Sequence, residues 1–196
     1  MTETKEVTAF FDRLAPKWDD DMIRDDAVIG EILDNAAVFE GKTVLDVACG
    51  TGVLIPDYLA RGVSRVTAID ISPRMIEITR TKYCDERVHI VCGDAQTYRF
   101  GETFDCIVVY NAFPHFADPE RLIGMLAEQL RPGGTLTVAH GMSRERIIEH
   151  HRNVPASVSD ELMPAEALAE LMNRSLTVTK VISDGRMYQV CAIRTE

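Results

Sequence analysis

The chain has 196 residues, 46% hydrophobic and 27% charged, with a formal net charge of −10. That is enough for one well-cored domain and excludes a disordered or fibrous chain, while the acidic balance without a basic run argues against a nucleic-acid partner. Five cysteines, an odd number with no C-x-x-C pair, suit a reducing compartment. Apolar stretches such as Cys106 to Tyr110 fall far short of the roughly 20 residues that span a bilayer. Residues 1–18 carry charges throughout and lack the apolar run of a secretory signal. The expectation is a cytoplasmic protein with no membrane partner, residues 1–40 preceding a core over 41–196 in a single domain.

From Lys42 onward, strand-like and helix-like segments alternate, which predicts a parallel sheet with helices on both faces. Thr43 to Val47 is a strand, followed by the turn Ala48 to Gly52 and a helix that Gly62 ends. Arg65 to Asp70 is the second strand; Ser72 and Pro73 then cap and open a helix. Val88 to Cys92 and Phe104 to Tyr110 follow as strands, and Asp118-Pro119 opens a helix running to about Leu130. Arg131 to Gly134 predicts a turn into the strand Thr135 to Ala139, and Ser143 caps a short helix. The last two strands, Leu176 to Ser183 and Arg186 to Ile193, are separated by Asp184-Gly185, a two-residue hairpin signal, so they must be antiparallel. The fold class expected is therefore α/β, a doubly wound, Rossmann-like, mostly parallel sheet ending in an antiparallel hairpin.

In such a sheet ligands bind beyond the carboxyl ends of the strands, where strand order reverses. Asp46-Val47-Ala48-Cys49-Gly50-Thr51-Gly52 places an acid at a strand end and then small residues that let backbone approach a ligand. It resembles the first motif of class I S-adenosylmethionine-dependent methyltransferases, with Ala48 where glycine is more usual. The resemblance extends in order across residues 40–140. Asp70 is similar to the acid that takes the ribose hydroxyls, and Ile71 would lie on the adenine. Gly93-Asp94-Ala95 resembles the adenine-edge segment, and Leu130 to Gly134 the turn before the fifth strand. The family implies a seven-stranded sheet, S-adenosylmethionine as cofactor and S-adenosylhomocysteine as product. It implies Trp18, Asp46, Ala48, Gly50, Gly52, Asp70, Ile71, Met75, Asp94, Ala95 and Asn111 as cofactor contacts.

Val7 to Trp18 carries three aromatic residues. It looks like the N-terminal helical lid of ubiquinone/menaquinone-biosynthesis-like methyltransferases, which would exclude water from the reacting centre. At the end of the fourth strand, Phe113 and Phe116 are candidate pocket walls and His115 a candidate general base, an imidazole titrating near neutrality. His140, His150 and His151 fall within twelve residues on the same side. They are candidates to contact substrate, to take a proton or to bind a metal, although no complete ligand set can be assigned and the metal stays open. The expected activity is methyl transfer to O, N or S of a small molecule. Two alternatives remain: a non-catalytic protein that senses cofactor or metal, and an NAD-dependent dehydrogenase, against which the missing three-glycine spacing counts.

Overall fold

Aliphatic and β-branched residues fill five strands that pair in parallel: β1 (Thr43–Val47), β2 (Arg65–Asp70), β3 (Val88–Cys92), β4 (Phe104–Tyr110) and β5 (Leu130–His140). β7 (Tyr188–Ile193) adds antiparallel to β5, and β6 (Thr177–Ser183) antiparallel to β7, completing a seven-stranded sheet in the order β3-β2-β1-β4-β5-β7-β6. The computed structural model describes residues 4–20 and 22–195; residues 1–3 and Asp21 of the expected N-terminal segment, and Glu196, lie outside the described residues. Strand order reverses between β1 and β4, which puts the crevice for a ligand at the carboxyl ends of those strands.

Successive residues of the central strands feed opposite cores, as the two-residue period of a strand requires. Leu45, Val47, Ile107, Val109, Leu136 and Val138 face one way. Val44, Val66, Ala68, Cys106 and Val108 face the other. The helices that cover these faces are opened by the expected caps. Ser72 Oγ accepts from the Met75 amide at the start of α4 (Pro73–Lys82), Asp118 from Arg121 at α5 (Pro119–Glu128), and Ser143 from Arg146 at α6 (Arg144–His151). Three further helices are α2 (Asp26–Asn35), α3 (Ile55–Ala60) and α7 (Ala165–Met172). Alpha2 is capped by Asp25 and buries Val28, Ile29, Ile32 and Leu33.

Two sequence expectations change. Arg131 to Gly134 is not a turn before the strand but an irregularity inside β5, since Phe104 pairs with Leu130 and Cys106 with Thr135. The ladder continues because Gly133 N–H donates to the Arg194 carbonyl and Arg194 N–H to the Gly134 carbonyl. The closing hairpin is also wider than two residues: Ser183 pairs with Tyr188, leaving Asp184 to Met187 as the connection. There the Asp184 carboxylate accepts the amides of Arg186 and Met187, so the aspartate begins the turn rather than occupying its centre.

The N-terminal segment comprises α1 (Thr4–Leu14) and a single 3-10 turn, Ala15–Lys17. Two carboxylates pin it to the core. Asp12 accepts from Ser72 Oγ at 2.6 Å and from the Arg74 amide at 3.1 Å, at the electropositive start of α4. Asp19 accepts from Thr51 Oγ at 2.6 Å and pairs with Lys82 at 3.0 Å.

Candidate active site

A cavity of about 600 Å³ lies at the carboxyl ends of β1, β2, β3, β4 and β5, covered by the N-terminal segment through Val7, Phe11, Leu14 and Trp18. Of the sequence candidates, Trp18, Ala48, Gly50, Asp70, Ile71, Met75, Asp94, Ala95, Asn111, His115, His140, His150 and His151 all line it.

The turn after β1 shapes one end. Ala48, Gly50 and Gly52 take left-handed backbone, with φ of 55°, 55° and 83°. The turn closes through Gly52 N–H to the Cys49 carbonyl, and Thr79 Oγ donates to the Gly50 carbonyl. A Cβ at Gly50 would stand 3.7 Å from Trp18 Nε1, so turn and N-terminal segment meet across the cavity. Gly52 plays a different part from the one expected. It points away from the cavity to where α3 and α4 meet, where a Cβ would come 2.6 Å from Tyr83 just past α4, 2.8 Å from Ile55 of α3 and 3.1 Å from Thr79 of α4.

Asp70 stands beside this turn, its Oδ2 accepting the Gly50 amide and its Oδ1 the Ser72 amide, both at 2.8 Å. Burial nevertheless pushes its carboxyl up to about 6, the backbone donors offsetting only part of the desolvation. Asp46 does not reach the cavity wall. It is buried behind the turn, with Oδ1 accepting from Tyr58 OH at 3.3 Å and Oδ2 without a partner. Burial pushes it up to about 7, Asp70 adding to the rise. Asp94 accepts the Gln96 amide, which fixes the segment after β3 with Ala95 buried beside it. After β4, Asn111 has a left-handed φ of 54°, and its Oδ1 accepts the Gly141 amide at 3.0 Å, tying the ends of β4 and β5 together.

Imidazoles build the other end. His115 Nδ1 lies 3.0 Å from the Val158 carbonyl, which can only accept; Nδ1 therefore carries the hydrogen and Nε2 is the free acceptor. Burial lowers His115 to about 4 and His140 to about 3, so both rings are neutral at ordinary pH. The His115 ring is 4.9 Å from Phe11 and 5.1 Å from His151, which in turn is 6.0 Å from His150. His140 is 1% exposed, packed 5.8 Å from the Tyr188 ring with Nε2 unpartnered, while His150 is exposed at the rim. His140, His150 and His151 thus all line the cavity, and the ring contacts centre on His115 and His151. Among the described residues no three His, Cys, Asp or Glu side chains are grouped to hold a metal ion. Phe116 lines the cavity as expected, whereas Phe113 is buried in the core.

Two residues with no sequence signal organise this end. Val158 and Ser159, consecutive in a turn held by hydrogen bonds to Pro155, grip His115 and His151 respectively, and the next amide, Asp160, donates to the Pro114 carbonyl beside His115.

Residues 44–134 match the family model described as a methyltransferase domain. A curated relative, demethylmenaquinone methyltransferase of Renibacterium salmoninarum, is 30% identical over 142 residues, covering 68% of this chain and 58% of the relative. The chain spans less than two thirds of the curated relatives it matches. Among solved structures, the complex between the Haloferax volcanii Trm112 methyltransferase activator and a methyltransferase contains a chain that superposes with a TM-score of 0.83 at 18% identity. That match covers 99% of this chain and 98% of the other. N-methyltransferase NodS from Bradyrhizobium japonicum WM9, in complex with S-adenosyl-L-homocysteine, gives 0.76 at 18% identity over 97% of this chain and 99% of that one. Among the described residues, no helix is long and apolar enough to cross a membrane.

Proposed function

We propose, on the premise that the chain belongs to the class I S-adenosylmethionine-dependent methyltransferases, that it transfers a methyl group to O, N or S of a small molecule bound beside the histidine cluster. The observation that carries this reading is the carboxylate of Asp70 held against the glycine turn inside a covered cavity, with Asp46 buried just behind it. Asp70, an acid at the end of β2, can take the ribose of either cofactor, but Asp46, buried behind the glycine turn where the diphosphate of NAD would lie, regains stability as an anion when a cationic ligand arrives and repels a diphosphate. That arrangement favours a sulfonium cofactor over NAD.

S-adenosylmethionine supplies an electrophilic methyl on its sulfonium sulfur and leaves as S-adenosylhomocysteine. The rest falls to the chain. Asp70 has acceptor capacity left on both oxygens for ribose hydroxyls, beyond the two backbone amides it already accepts. Asp94 meets the adenine amino group, and Ile71, Met75 and Ala95 flank the ring. Ala48 and Gly50 present backbone to the amino-acid end, with Asp46 supplying negative charge from behind. Trp18 and Asn111 bound the space where donor and acceptor meet. Rate enhancement rests on alignment and on exclusion of water by the N-terminal segment acting as a lid. The acceptor is a small molecule, because the cavity is covered by the N-terminal segment and the chain is acidic. We place the protein in the cytoplasm.

Isothermal calorimetry tests the reading. S-adenosylmethionine and S-adenosylhomocysteine are expected to bind and NAD not to. Asp70→Ala should weaken S-adenosylhomocysteine by about 1–3 kcal/mol, the range for lost hydrogen bonds to a charged group, with circular dichroism confirming the fold. Heat with NAD and none with either methyl-cofactor form refutes it.

A further inference from the structure

A second, smaller hollow of about 180 Å³ lies behind the histidine cluster, lined by His151, Arg152, Ser159, Asp160 and Glu161 among others. Among the described residues, His151 alone lines both this hollow and the main cavity, so it stands between them. Ser159, 8% exposed, places Oγ 3.0 Å from His151 Nδ1 and donates to its neighbour's carbonyl, Asp160 O, at 3.1 Å. A hydroxyl has one hydrogen; donated to the carbonyl, it leaves Oγ able to accept from Nδ1–H. That arrangement favours the tautomer with its hydrogen on Nδ1 and a bare Nε2 on the far edge of the ring from Ser159.

We propose that His151 accepts the proton of the methyl acceptor at Nε2, that Ser159 is its positioning residue, and that the polar hollow behind Ser159 lets that proton leave while the main cavity stays covered. This rests on the methyl-transfer reading. The balance is one proton per turnover. The acceptor X–H gives its hydrogen to Nε2 as the X–C bond forms, and the methyl–sulfur bond breaks with sulfur keeping the pair. Nδ1–H then passes to Ser159 Oγ as that hydroxyl turns from the Asp160 carbonyl and gives its own hydrogen to water in the hollow, which leaves a neutral ring carrying its hydrogen on Nε2. When product leaves and the main cavity opens, Nε2 gives that hydrogen to solvent and Nδ1 regains one through Ser159 from the hollow, so the starting tautomer returns and one proton has been released.

The neighbouring rings are less suited. His140 and His115 are held down to about 3 and 4 by burial, and His115 Nδ1 faces a carbonyl with no hydroxyl to relay through. His151 is half-buried and lowered less, by burial first and by His150 second. The groups facing it are His115 and His150 on the cavity side, and Arg152, Asp160 and Glu161 on the hollow side. Glu161 is already engaged by Arg144 at 2.8 Å.

The test reads ring nitrogens by nuclear magnetic resonance in full-length, isotope-labelled protein with S-adenosylhomocysteine added. The expected result is His151 protonated at Nδ1 and bare at Nε2 near neutral pH, with Nδ1–H exchanging with water faster than His115 Nδ1–H. Ser159→Ala should mix the tautomers and move the His151 titration, and Ser159→Thr should restore both. A hydrogen on Nε2 in the unaltered protein, no change in Ser159→Ala, or Nδ1–H exchange as slow as at His115 would each overturn the proposal. Calorimetry on the same samples keeps the two ideas apart. Absence of S-adenosylhomocysteine binding defeats the methyl-transfer reading, whereas the tautomer and exchange results judge the relay.

Discussion

The two ends of the cavity are built on opposite electrostatic plans. At the glycine-turn end, Asp46 and Asp70 are acids forced by burial towards their neutral forms, to about 7 and about 6. At the far end, His115 and His140 are bases forced by burial towards their neutral forms, to about 4 and about 3. Desolvation causes both shifts, yet it gives them contrary effects on folding. An acid whose folded pKa is raised binds protons better in the fold, so its contribution is present at low pH and is lost as pH climbs through the folded value. A base whose folded pKa is lowered binds protons better in the unfolded chain, so the fold weakens as pH drops below 6.5. The window in which neither end is strongly charged lies between about pH 4 and pH 6, above the folded values of the bases and at or below those of the acids.

The largest expected effect separates these plans. Between about pH 4 and pH 7 the two slopes oppose, and urea denaturation of the unaltered chain should show a shallow pH dependence. His140→Leu removes one imidazole, so stability should rise as the solution is acidified over that range. Asp46→Asn removes the opposing carboxylate while keeping an acceptor for Tyr58 OH, so stability should fall steeply below 6.5. Each change in slope should reach roughly 3 kcal/mol at the acid limit, about 1.4 kcal/mol for each unit of differential pKa. Parallel curves for the two variants would show that the ends are not electrostatically opposed.

A second prediction sharpens the contrast in backbone. At the turn end, shape depends on glycine: Gly52 has φ of 83°, and a Cβ would strike Tyr83 and Ile55. Gly52→Ala should cost about 2–4 kcal/mol, combining left-handed strain with overpacking. The loss should appear in the urea midpoint with the slope unchanged. A cost below about 1 kcal/mol would mean that α4 yields and the turn is not rigid.

The same contrast explains what could be read before any coordinates. The turn end is coded locally. Asp46 through Gly52, Asp70 through Pro73 and Gly93 through Ala95 are short runs whose strand end, small residues and cap lie side by side in the chain, so the sheet and most of the lining at that end of the cavity were legible. Even so, periodicity could not show that Gly52 faces α4 or that Asp46 stands behind the wall, since both follow from how α3 and α4 pack. The histidine end is assembled from distant segments. His115 meets Val158 across 43 positions, and a backbone carbonyl leaves no trace in residue type. The extension of β5 has a similar origin. Arg194, at the far end of the chain, pairs with Gly133 and Gly134 that otherwise read as a turn.

The smallest expected effect bears on Ala48, the position where glycine is more usual in the resembling motif. Its φ of 55° puts Cβ against the following carbonyl, a cost of about 1–2 kcal/mol for an L-residue. Asn111, at φ of 54°, shares the conformation, but its side chain recovers a hydrogen bond to the Gly141 amide, whereas Ala48 recovers nothing comparable. Ala48→Gly removes the strain but adds backbone freedom to the unfolded chain, which offsets about 0.5–1 kcal/mol. The net expectation is a gain of about 0.5–1 kcal/mol, read from the urea midpoint, with S-adenosylhomocysteine affinity unchanged within a few fold because that wall is backbone in either case. Asn111→Gly is the matched control: it relieves the same strain but loses the Gly141 bond, so it should be destabilising. A gain at both positions would show that the side chain of Asn111 does not hold β4 to β5. A loss at both would show that the left-handed turn at Ala48 is not strained, and that alanine there is as well suited as glycine.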